Sequence, residues 1–425
     1  MKCLIWFNRD LRLQDNQIFN WLATNSSECA AVIFVPEKKS SKQLTFFWES
    51  VIDLKKSLLK LNILLKISNQ SPELAIEELV GLNKIDVILA SKVYNNKNQS
   101  VIDTLKNKLL NTQFIFFEQS TLLTEVDLLF SIENMPKVFT EFRKKVEKNF
   151  KVKPLCSLPK QEFKSFELKQ KNILFLDPPA EIENSFKQSC HIQAVSVTDL
   201  GYNFVGGESF SHKRINEYFK KTQSLSSYKE TRNGMLEINE SSKLSVWLAQ
   251  GCISARQIYF EIKKYEEING ANESTYWLVF ELLWRDYFKF LSLKIGKSLF
   301  SEQGLSQNKI NSRDDKNQMY RWTNGQTGVD FVDANMRELR LTGWMSNRGR
   351  QNVASYFAKN ENMNWTLGAK WFEENLIDDD TESNWGNWQY VSGAGTDPRD
   401  RVFNVERQAQ MYDLDGRYRK KWLRS

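Results

Sequence analysis

The chain has 425 residues, among them 13 tryptophans and 2 histidines, and its formal net charge is +7. This length predicts two or three domains, each with a core of its own, and the longest apolar runs are too short to cross a bilayer. The two histidines exclude a histidine-rich metal centre and argue against a Ser-His-Asp hydrolase. The five cysteines are scattered without a CxxC pair, which argues against zinc ribbons and disulfide frameworks. We therefore expect a cytoplasmic protein whose chemistry comes from a bound cofactor.

The first 125 residues alternate strand and helix patterns. Short apolar runs are separated by segments of helical period, which are clearest over residues 44–61 and 100–110. This alternation predicts a Rossmann-like parallel α/β sheet over residues 1–125. The predicted strands are 2–7, 30–35, 63–67, 85–91 and 114–118. No GxGxxG follows the first strand, so we do not expect a dinucleotide in the usual crevice of such a sheet.

Residues 126–205 are predicted to be an interdomain connector, because they are neither periodic nor rich in glycine. The connector contains the basic run 142–153, "FRKKVEKNFKVK". Such a run forms either the solvated face of a helix or a contact with nucleic acid or another anion.

From residue 206 onward the strand patterns vanish and apolar residues recur at helical spacing. Ten of the 13 tryptophans lie here, between Trp247 and Trp422. We therefore predict an all-α domain over residues 206–425. The predicted helices cover 243–249, 254–265, 275–293, 328–341, 347–358 and 367–376.

Several polar clusters in the helical half are candidates for chemistry. The run 241–245, Ser-Ser-Lys-Leu-Ser, opens a predicted helix and suits either a phosphate or a plain serine N-cap. Glu281, Trp284 and Arg285 share one face of a mostly apolar helix, which indicates a polar cavity, with structural ion pairs as the alternative.

Two further clusters follow along the chain. Residues 347–351 place amide and guanidinium groups at the start of another predicted helix. Asp380, Asn384 and Trp388 are spaced four apart and would share a helix face, and Trp365 lies on a neighbouring segment. Most of these indoles are expected to be core, but a pair beside a redox cofactor could relay electrons.

Long segments of the chain resemble the photolyase/cryptochrome family, and most closely its DASH branch. The similarity begins with "IWFNRDLRLQDN" and is almost continuous from Tyr228 to Leu423. Its most specific strings are "ELLWRDYF", "VDANMRELRLTGWMSNRGRQNVASYF" and "NWGNWQYVSGAGTDPRD", while "YKETRNG" and "MSNRGRQNVAS" indicate the DASH branch.

The resemblance implies FAD bound inside the helical domain, with the diphosphate held at the run 241–245. Asn384 would face the N5 nitrogen of the flavin, and Asp378 would pair with Arg350. The full set of implied cofactor-binding residues is Tyr228, Ser241, Ser242, Lys243, Leu244, Ser245, Arg285, Asn347, Arg350, Asp378, Asp380 and Asn384.

The implied reaction is blue-light-driven splitting of cyclobutane pyrimidine dimers by an electron from reduced flavin. Glu281, Trp284, Asn384, Trp388 and Trp365 would form the catalytic set, with the last two relaying electrons to the flavin. The implied nucleic-acid contacts are Glu281, Trp284, Asn347, Arg348, Gln351 and Tyr390.

The implied partner is single-stranded DNA that contains dimers, because extracting a dimer into a pocket is cheapest where the strand is unpaired. RNA and duplex DNA are further candidates. The polar Gln351, where enzymes of the double-strand class usually carry methionine, agrees with the single-strand preference. The family resemblance implies a monomer without a membrane partner.

The sequence departs from the family pattern in two places. Ser312 stands where the distal tryptophan of the electron relay would be, which puts the usual electron exit in doubt and leaves Tyr320, Trp322 or another aromatic residue as substitutes. Asn95 and Asn96 occupy the stretch where the family has a carboxylate for methenyltetrahydrofolate, so a folate antenna is expected to bind weakly or not at all.

Two rival functions remain open at this stage. One is a blue-light photoreceptor that binds nucleic acid and regulates gene expression without repair. The other is a flavin-binding nucleic-acid protein whose photochemistry has been lost.

Overall fold

The computed structural model describes residues 1–25, 28–189, 192–198, 201–306, 312–395 and 402–424. His191 and Cys190, one of the two histidines and one of the five cysteines, lie outside these ranges. Residues 396–400 of the family-specific string "NWGNWQYVSGAGTDPRD" also lie outside them.

A parallel sheet forms the first part of the chain, as the sequence predicts. Its strands lie in the order β5-β4-β1-β2-β3, all parallel. Their bounds are β1 Lys2–Phe7, β2 Glu28–Phe34, β3 Leu65–Ser68, β4 Val87–Ser91 and β5 Gln113–Phe117. Strands β1 to β4 are almost entirely buried, which explains why they appear in the sequence as continuous apolar runs rather than as alternating patterns.

Helices connect these strands and cover the sheet. They are α1 Gln17–Asn25, α2 Ser41–Leu59, α3 Pro72–Asn83 and α4 Asn96–Lys108. Helix α4 begins four residues before the predicted start at 100, because Asn95 is its N-cap and its side chain accepts a hydrogen bond from the Asn98 amide.

The predicted connector contains more regular structure than its composition suggests. It adds β6 Lys164–Ser165 and β7 Phe175–Leu176 to the sheet and forms the antiparallel pair β8 Val195–Thr198 and β9 Gly201–Phe204. It also forms α5 Phe139–Val146 and α6 Ala180–Ser189. Helix α5 buries Phe139, Phe142 and Val146 and directs its basic side chains outward, so the structure favours a solvated helix face for this part of the basic run.

The described chain after Phe204 contains no further strand, which confirms the all-α prediction for the second half. Its α-helices are α7 Glu208–Ile215, α8 Tyr228–Thr231, α9 Ser245–Gln250, α10 Ala255–Asn269, α11 Glu273–Ile295, α12 Lys316–Thr323, α13 Asp330–Thr342, α14 Asn347–Ser355, α15 Trp365–Asn375, α16 Thr381–Ser392, α17 Val405–Tyr412 and α18 Arg417–Leu423. The helix predicted at 347–358 is shorter than expected, because a π-helical turn, Tyr356–Asn360, follows α14.

The two halves are packed against each other through buried contacts. Trp247 of α9 packs edge-on against Phe46 of α2, with ring centroids 6.2 Å apart. The buried carboxylate of Asp286 accepts hydrogen bonds from the Leu122 and Leu123 amides at 2.9 and 2.8 Å. The two hydrogen bonds of Asp286 fix α11 against the segment that follows β5. No helix among the described residues has both the length and the apolar character needed to cross a membrane.

Candidate functional site

A cavity of about 300 Å³ lies in the helical half, between α11, α14, α16 and the loop before α9. Its lining mixes apolar and aromatic side chains with hydroxyl, amide, carboxylate and guanidinium groups. The residues singled out from the sequence that line it are Tyr228, Ser241, Ser242, Lys243, Leu244, Ser245, Glu281, Trp284, Arg285, Asn347, Arg350, Gln351, Asp378, Asp380, Asn384 and Trp388. Arg348, Trp365 and Tyr390 are not part of this lining.

The backbone of the serine-rich run 241–245 is held by hydrogen bonds from Arg214. The guanidinium of Arg214, almost fully buried, donates to the carbonyls of Ile238, Ser241 and Ser242 at 2.9 to 3.1 Å. Burial lowers the pKa of Arg214 to about 10. Because Arg214 satisfies the carbonyls of this loop, the hydroxyls of the run are available to the cavity that they line.

Lys243 lies within the same run but is held by neighbouring rings. Its ammonium lies 4.6 Å from the ring centroid of Tyr202 and 4.8 Å from that of Trp344, and donates to the Glu237 carbonyl at 3.2 Å. Its backbone φ is +53°. Burial lowers the pKa of Lys243 to about 7. The run is therefore a bent, tightly anchored loop, and α9 begins only at Ser245.

Asp380 is the centre of a buried ionic cluster. It caps α16, and its carboxylate lies 2.9 Å from Arg285 Nε and 3.3 Å from Lys289 Nζ. Burial alone would raise the pKa of Asp380, but Lys289 and Arg285 outweigh it and hold that pKa well below its ordinary range. Lys289 also pairs with Glu382 at 2.8 Å. Asp380 is therefore an anion in the cavity wall.

The two preceding aspartates have different partners. Asp378 forms an ion pair with Arg350, whose Nη2 donates to both carboxylate oxygens at 2.9 and 2.8 Å. Asp379 accepts from Arg9 and Lys39 of the sheet half, each at 3.2 Å, through Oδ2 alone. Burial raises the pKa of Asp379 although these cations lower it, and its Oδ1 has no hydrogen-bond partner among the described residues.

Helix α16 brings Asn384 and Trp388 onto the same wall of the cavity. The Asn384 amide nitrogen donates to the Ala369 carbonyl of α15 at 2.9 Å. The Trp388 ring is buried against Phe372, with centroids 5.2 Å apart. A Cβ at Gly368 would lie 2.3 Å from Trp388 Cη2, so a glycine there is what lets the indole pack directly on α15.

Glu281 faces the cavity together with Arg232, a residue that the sequence analysis did not single out. The two side chains form an ion pair, and both line the cavity. Burial raises the pKa of Glu281, although Arg232 draws it down. Arg232 belongs to the string "YKETRNG", so the resemblance could have pointed to it.

Trp284 is held in place by aromatic neighbours. The ring of Phe139 stacks on it at a centroid distance of 3.7 Å and an interplanar angle of 13°. Tyr390 approaches its edge at 6.2 Å. Phe139 belongs to the predicted connector, and no pattern in the sequence relates it to α11.

Arg348 and Gln351 lie on the same side of α14. Arg348 donates to the Gln351 side chain at 3.0 Å and to the Asn233 side chain at 3.3 Å. Its guanidinium lies 4.6 Å from the ring centroid of Tyr412. Arg348 therefore lies next to a residue of the cavity lining without lining the cavity itself.

Trp365 is fully buried and lies away from the cavity lining. Its indole N–H donates to the Glu302 carbonyl at 2.9 Å. Ser312 donates to the carboxylate of the same Glu302. The position at which the family pattern places a third tryptophan is therefore near Trp365 but carries only a hydroxyl.

The stretch expected to concern a folate antenna is tied to the ionic cluster. Asn95 donates to Glu382 at 2.6 Å in addition to capping α4. Asn96 lies close to Gly296, where an added Cβ would be 3.0 Å from its amide nitrogen. The Asn95 side chain is thus fully engaged within the protein.

Comparisons with known proteins show the family to which the chain is related. Residues 277–425 match the family model described as the FAD binding domain of DNA photolyase, and residues 3–161 match the model described as DNA photolyase. The chain is 40% identical to a Cryptochrome DASH of Gloeobacter violaceus, over 99% of this chain and 85% of that relative. It is 40% identical to a Cryptochrome DASH of Danio rerio, over 99% of this chain and 82% of that relative. The solved structure of a Synechocystis cryptochrome superimposes with a TM-score of 0.90 at 39% identity, covering 100% of this chain and 88% of that one.

Proposed function

This chain belongs to the DASH cryptochromes of the photolyase/cryptochrome family, and from that premise we propose that it uses bound FAD and blue light to split cyclobutane pyrimidine dimers, mainly in single-stranded DNA. One observation carries the proposal: Glu281 and Trp284, the expected substrate contacts, line the same cavity as Asn384 and Trp388. A cavity that brings a flavin and a dimer together needs both sets of residues on its wall.

The cavity residues fit FAD. Asp379 and Trp344, which line it, each carry a buried polar atom, Oδ1 and Nε1, without a partner among the described residues, as expected where a polar ligand completes the hydrogen bonds. The hydroxyls of the run 241–245 would hold the diphosphate, while Arg285 and Asp380 would contact polar edges of the cofactor. When bound, the flavin supplies light-driven transfer of single electrons.

Asn384 would set the hydrogen bonding at the reactive edge of the flavin. Its amide nitrogen donates one of its two hydrogens to Ala369, which leaves its second N–H and its carbonyl oxygen for the cavity. An acceptor there would hold a proton on the flavin N5 nitrogen. A carboxylate at this position would add a charge, whereas the amide orients that nitrogen without one.

The dimer would be recognised by Glu281 and Trp284. The carboxylate of Glu281, which is paired with Arg232, can accept hydrogen bonds from the N–H groups of pyrimidine bases. The Trp284 indole, backed by Phe139, would pack against the extruded bases together with Tyr390. Arg232 would neutralise Glu281 until the bases enter, and Arg348 and Gln351 would contact the strand around them.

We also propose that a folate antenna binds weakly or not at all. Asn95 is occupied by Asn98 and Glu382 and offers no carboxylate. The absorption spectrum of the purified protein should then show flavin bands without a separate near-ultraviolet chromophore.

A repair assay tests the proposed function. Chemically reduced protein is mixed with an oligonucleotide that contains one pyrimidine dimer, as a single strand or as a duplex, and is exposed to blue light. We expect repair in the light but not in the dark, and faster repair of the single strand. Absence of repair in both substrates, with FAD bound, would contradict the proposal and leave the photoreceptor function as the alternative.

A further inference from the structure

The electron exit of this chain cannot run through position 312, because an oxidised tryptophan cannot take an electron from a serine side chain. Trp365 has no exposed surface of its own, so an external reductant cannot reach its ring directly. Its indole N–H is bound to a backbone carbonyl, that of Glu302, which does not take up a proton. Another residue must therefore connect Trp365 to the solvent.

Trp385 lies where a residue could connect Trp365 to the solvent. Its ring packs edge-on against Trp365, with centroids 5.8 Å apart and planes at 75°. It lies on α16, one helical turn before Trp388. Trp385 is 8% exposed, whereas Trp365 is enclosed. The step from Trp365 to Trp385 thus leads toward the surface.

Trp385 also has a proton acceptor. Its Nε1–H donates to Glu373 Oε2 at 2.7 Å, within the distance over which proton transfer is efficient. The Glu373 side chain is 20% exposed, with the ammonium of Lys97 3.9 Å from its other oxygen. A proton received by Glu373 can therefore pass to water.

We propose that Trp385 is the terminal electron donor of this chain and that Glu373 receives its proton, an inference that rests on the proposed flavin photochemistry. One electron leaves Trp385 for the oxidised ring of Trp365, which returns to its neutral form, and the Nε1 proton moves to Glu373. The electron ends on the photoexcited flavin, which is the oxidant. A soluble thiol restores Trp385 with one electron and one proton and becomes a thiyl radical, and two such radicals from two turnovers combine to a disulfide.

Trp322, one of the substitute exits that the sequence suggests, lacks this proton acceptor. Its ring lies 6.1 Å from that of Trp388, but its indole N–H donates to the Val353 carbonyl at 3.2 Å. It is also almost fully buried. An oxidised Trp322 would keep its proton and take an electron back from the relay. Loss of the indole proton instead makes Trp385 a neutral radical, which does not readily take its electron back.

Flash photolysis of the FAD-loaded protein tests this route. Transient absorption and electron paramagnetic resonance follow the tryptophan radical in wild type, W385F and E373Q, with W371F as the control because Trp371 is a partly buried indole of α15. We expect a long-lived neutral radical in wild type and W371F and loss of that radical in W385F. In E373Q we expect a protonated, short-lived radical.

An undiminished long-lived radical in W385F at wild-type FAD content would overturn the assignment of Trp385. An unchanged neutral radical in E373Q would overturn the assignment of Glu373, and this variant decides the question if W385F fails to bind FAD. Repair by chemically reduced W385F does not use the exit. Repair without the radical therefore supports the inference, while loss of repair by reduced wild type counts against the proposed function itself.

Discussion

The ring of Phe139, on the helix between the two halves of the chain, stacks on the indole of Trp284 at 3.7 Å. Trp284 also lines the cavity. Helix α5, which the sequence predicts to be part of a connector, thus fixes the orientation of Trp284, a residue expected to contact the bases.

Replacing Phe139 by leucine should weaken binding of a dimer-containing single strand. The stacked pair contributes about 1 kcal/mol beyond its buried area, so we expect the Kd to rise roughly fivefold while FAD content is unchanged. Phe130→Leu is a matched control, because Phe130 packs on Phe142 of the same helix. Equal affinities of the two variants would show that Phe139 does not position Trp284.

Asp380→Asn should lower both FAD occupancy and stability. The substitution leaves the buried Arg285 without its carboxylate and removes one of the two partners of Lys289, and breaking a buried ion pair typically costs about 3–5 kcal/mol. Thermal unfolding and the flavin-to-protein absorbance ratio measure the two effects. Asp177→Asn, at an exposed pair with Lys55, should change neither.

Gly368→Ala should disturb Trp388. The new Cβ would meet the indole at 2.3 Å, and overpacking of this kind costs about 1–3 kcal/mol. We expect slower photoreduction of the flavin, followed by absorbance under blue light. Gly81→Ala, in a helix with open space at that position, is the control. Wild-type photoreduction in Gly368→Ala would contradict the proposed part of Trp388 in the relay.

Glu49 gives a prediction about pH. It accepts the Gly206 amide at 2.7 Å, and burial raises its pKa from 4.5 to about 7. A group whose pKa is higher in the folded state favours folding below its unfolded pKa, and this stability is lost as the pH rises through about 7. Glu49→Gln should therefore match wild type below pH 4.5 and exceed it by roughly 3 kcal/mol above neutral pH.

Urea unfolding at acidic and alkaline pH measures this difference. A stability difference that does not change with pH would show that Glu49 titrates normally in the folded protein.

Local patterns predicted the sheet and most of the helical half, because their information lies in neighbouring residues. The buried strand β4 and the helix face that carries Asp380, Asn384 and Trp388 both follow from such spacing. By contrast, the cations that hold Asp379 come from Arg9 and Lys39, more than 300 residues away along the chain. No local pattern specifies such a partner.

The site was predicted through its motifs, but not the residues that support it. Arg214 shapes the serine-rich run from a helix with no distinguishing motif. Phe139 supports Trp284 from α5, a short helix whose only apolar signal in the sequence is its three buried apolar residues. Both act through packing in three dimensions, which composition and spacing do not report.

FAD and the dimer are proposed to occupy one cavity, and a spectral titration can detect such close contact. The flavin absorption bands of the FAD-loaded protein are followed while a single strand with one dimer, or the same strand undamaged, is added. We predict a shift of the bands with the damaged strand only, and its loss in Glu281→Ala at equal FAD content. Binding of the damaged strand without any change in the flavin bands would contradict a shared cavity.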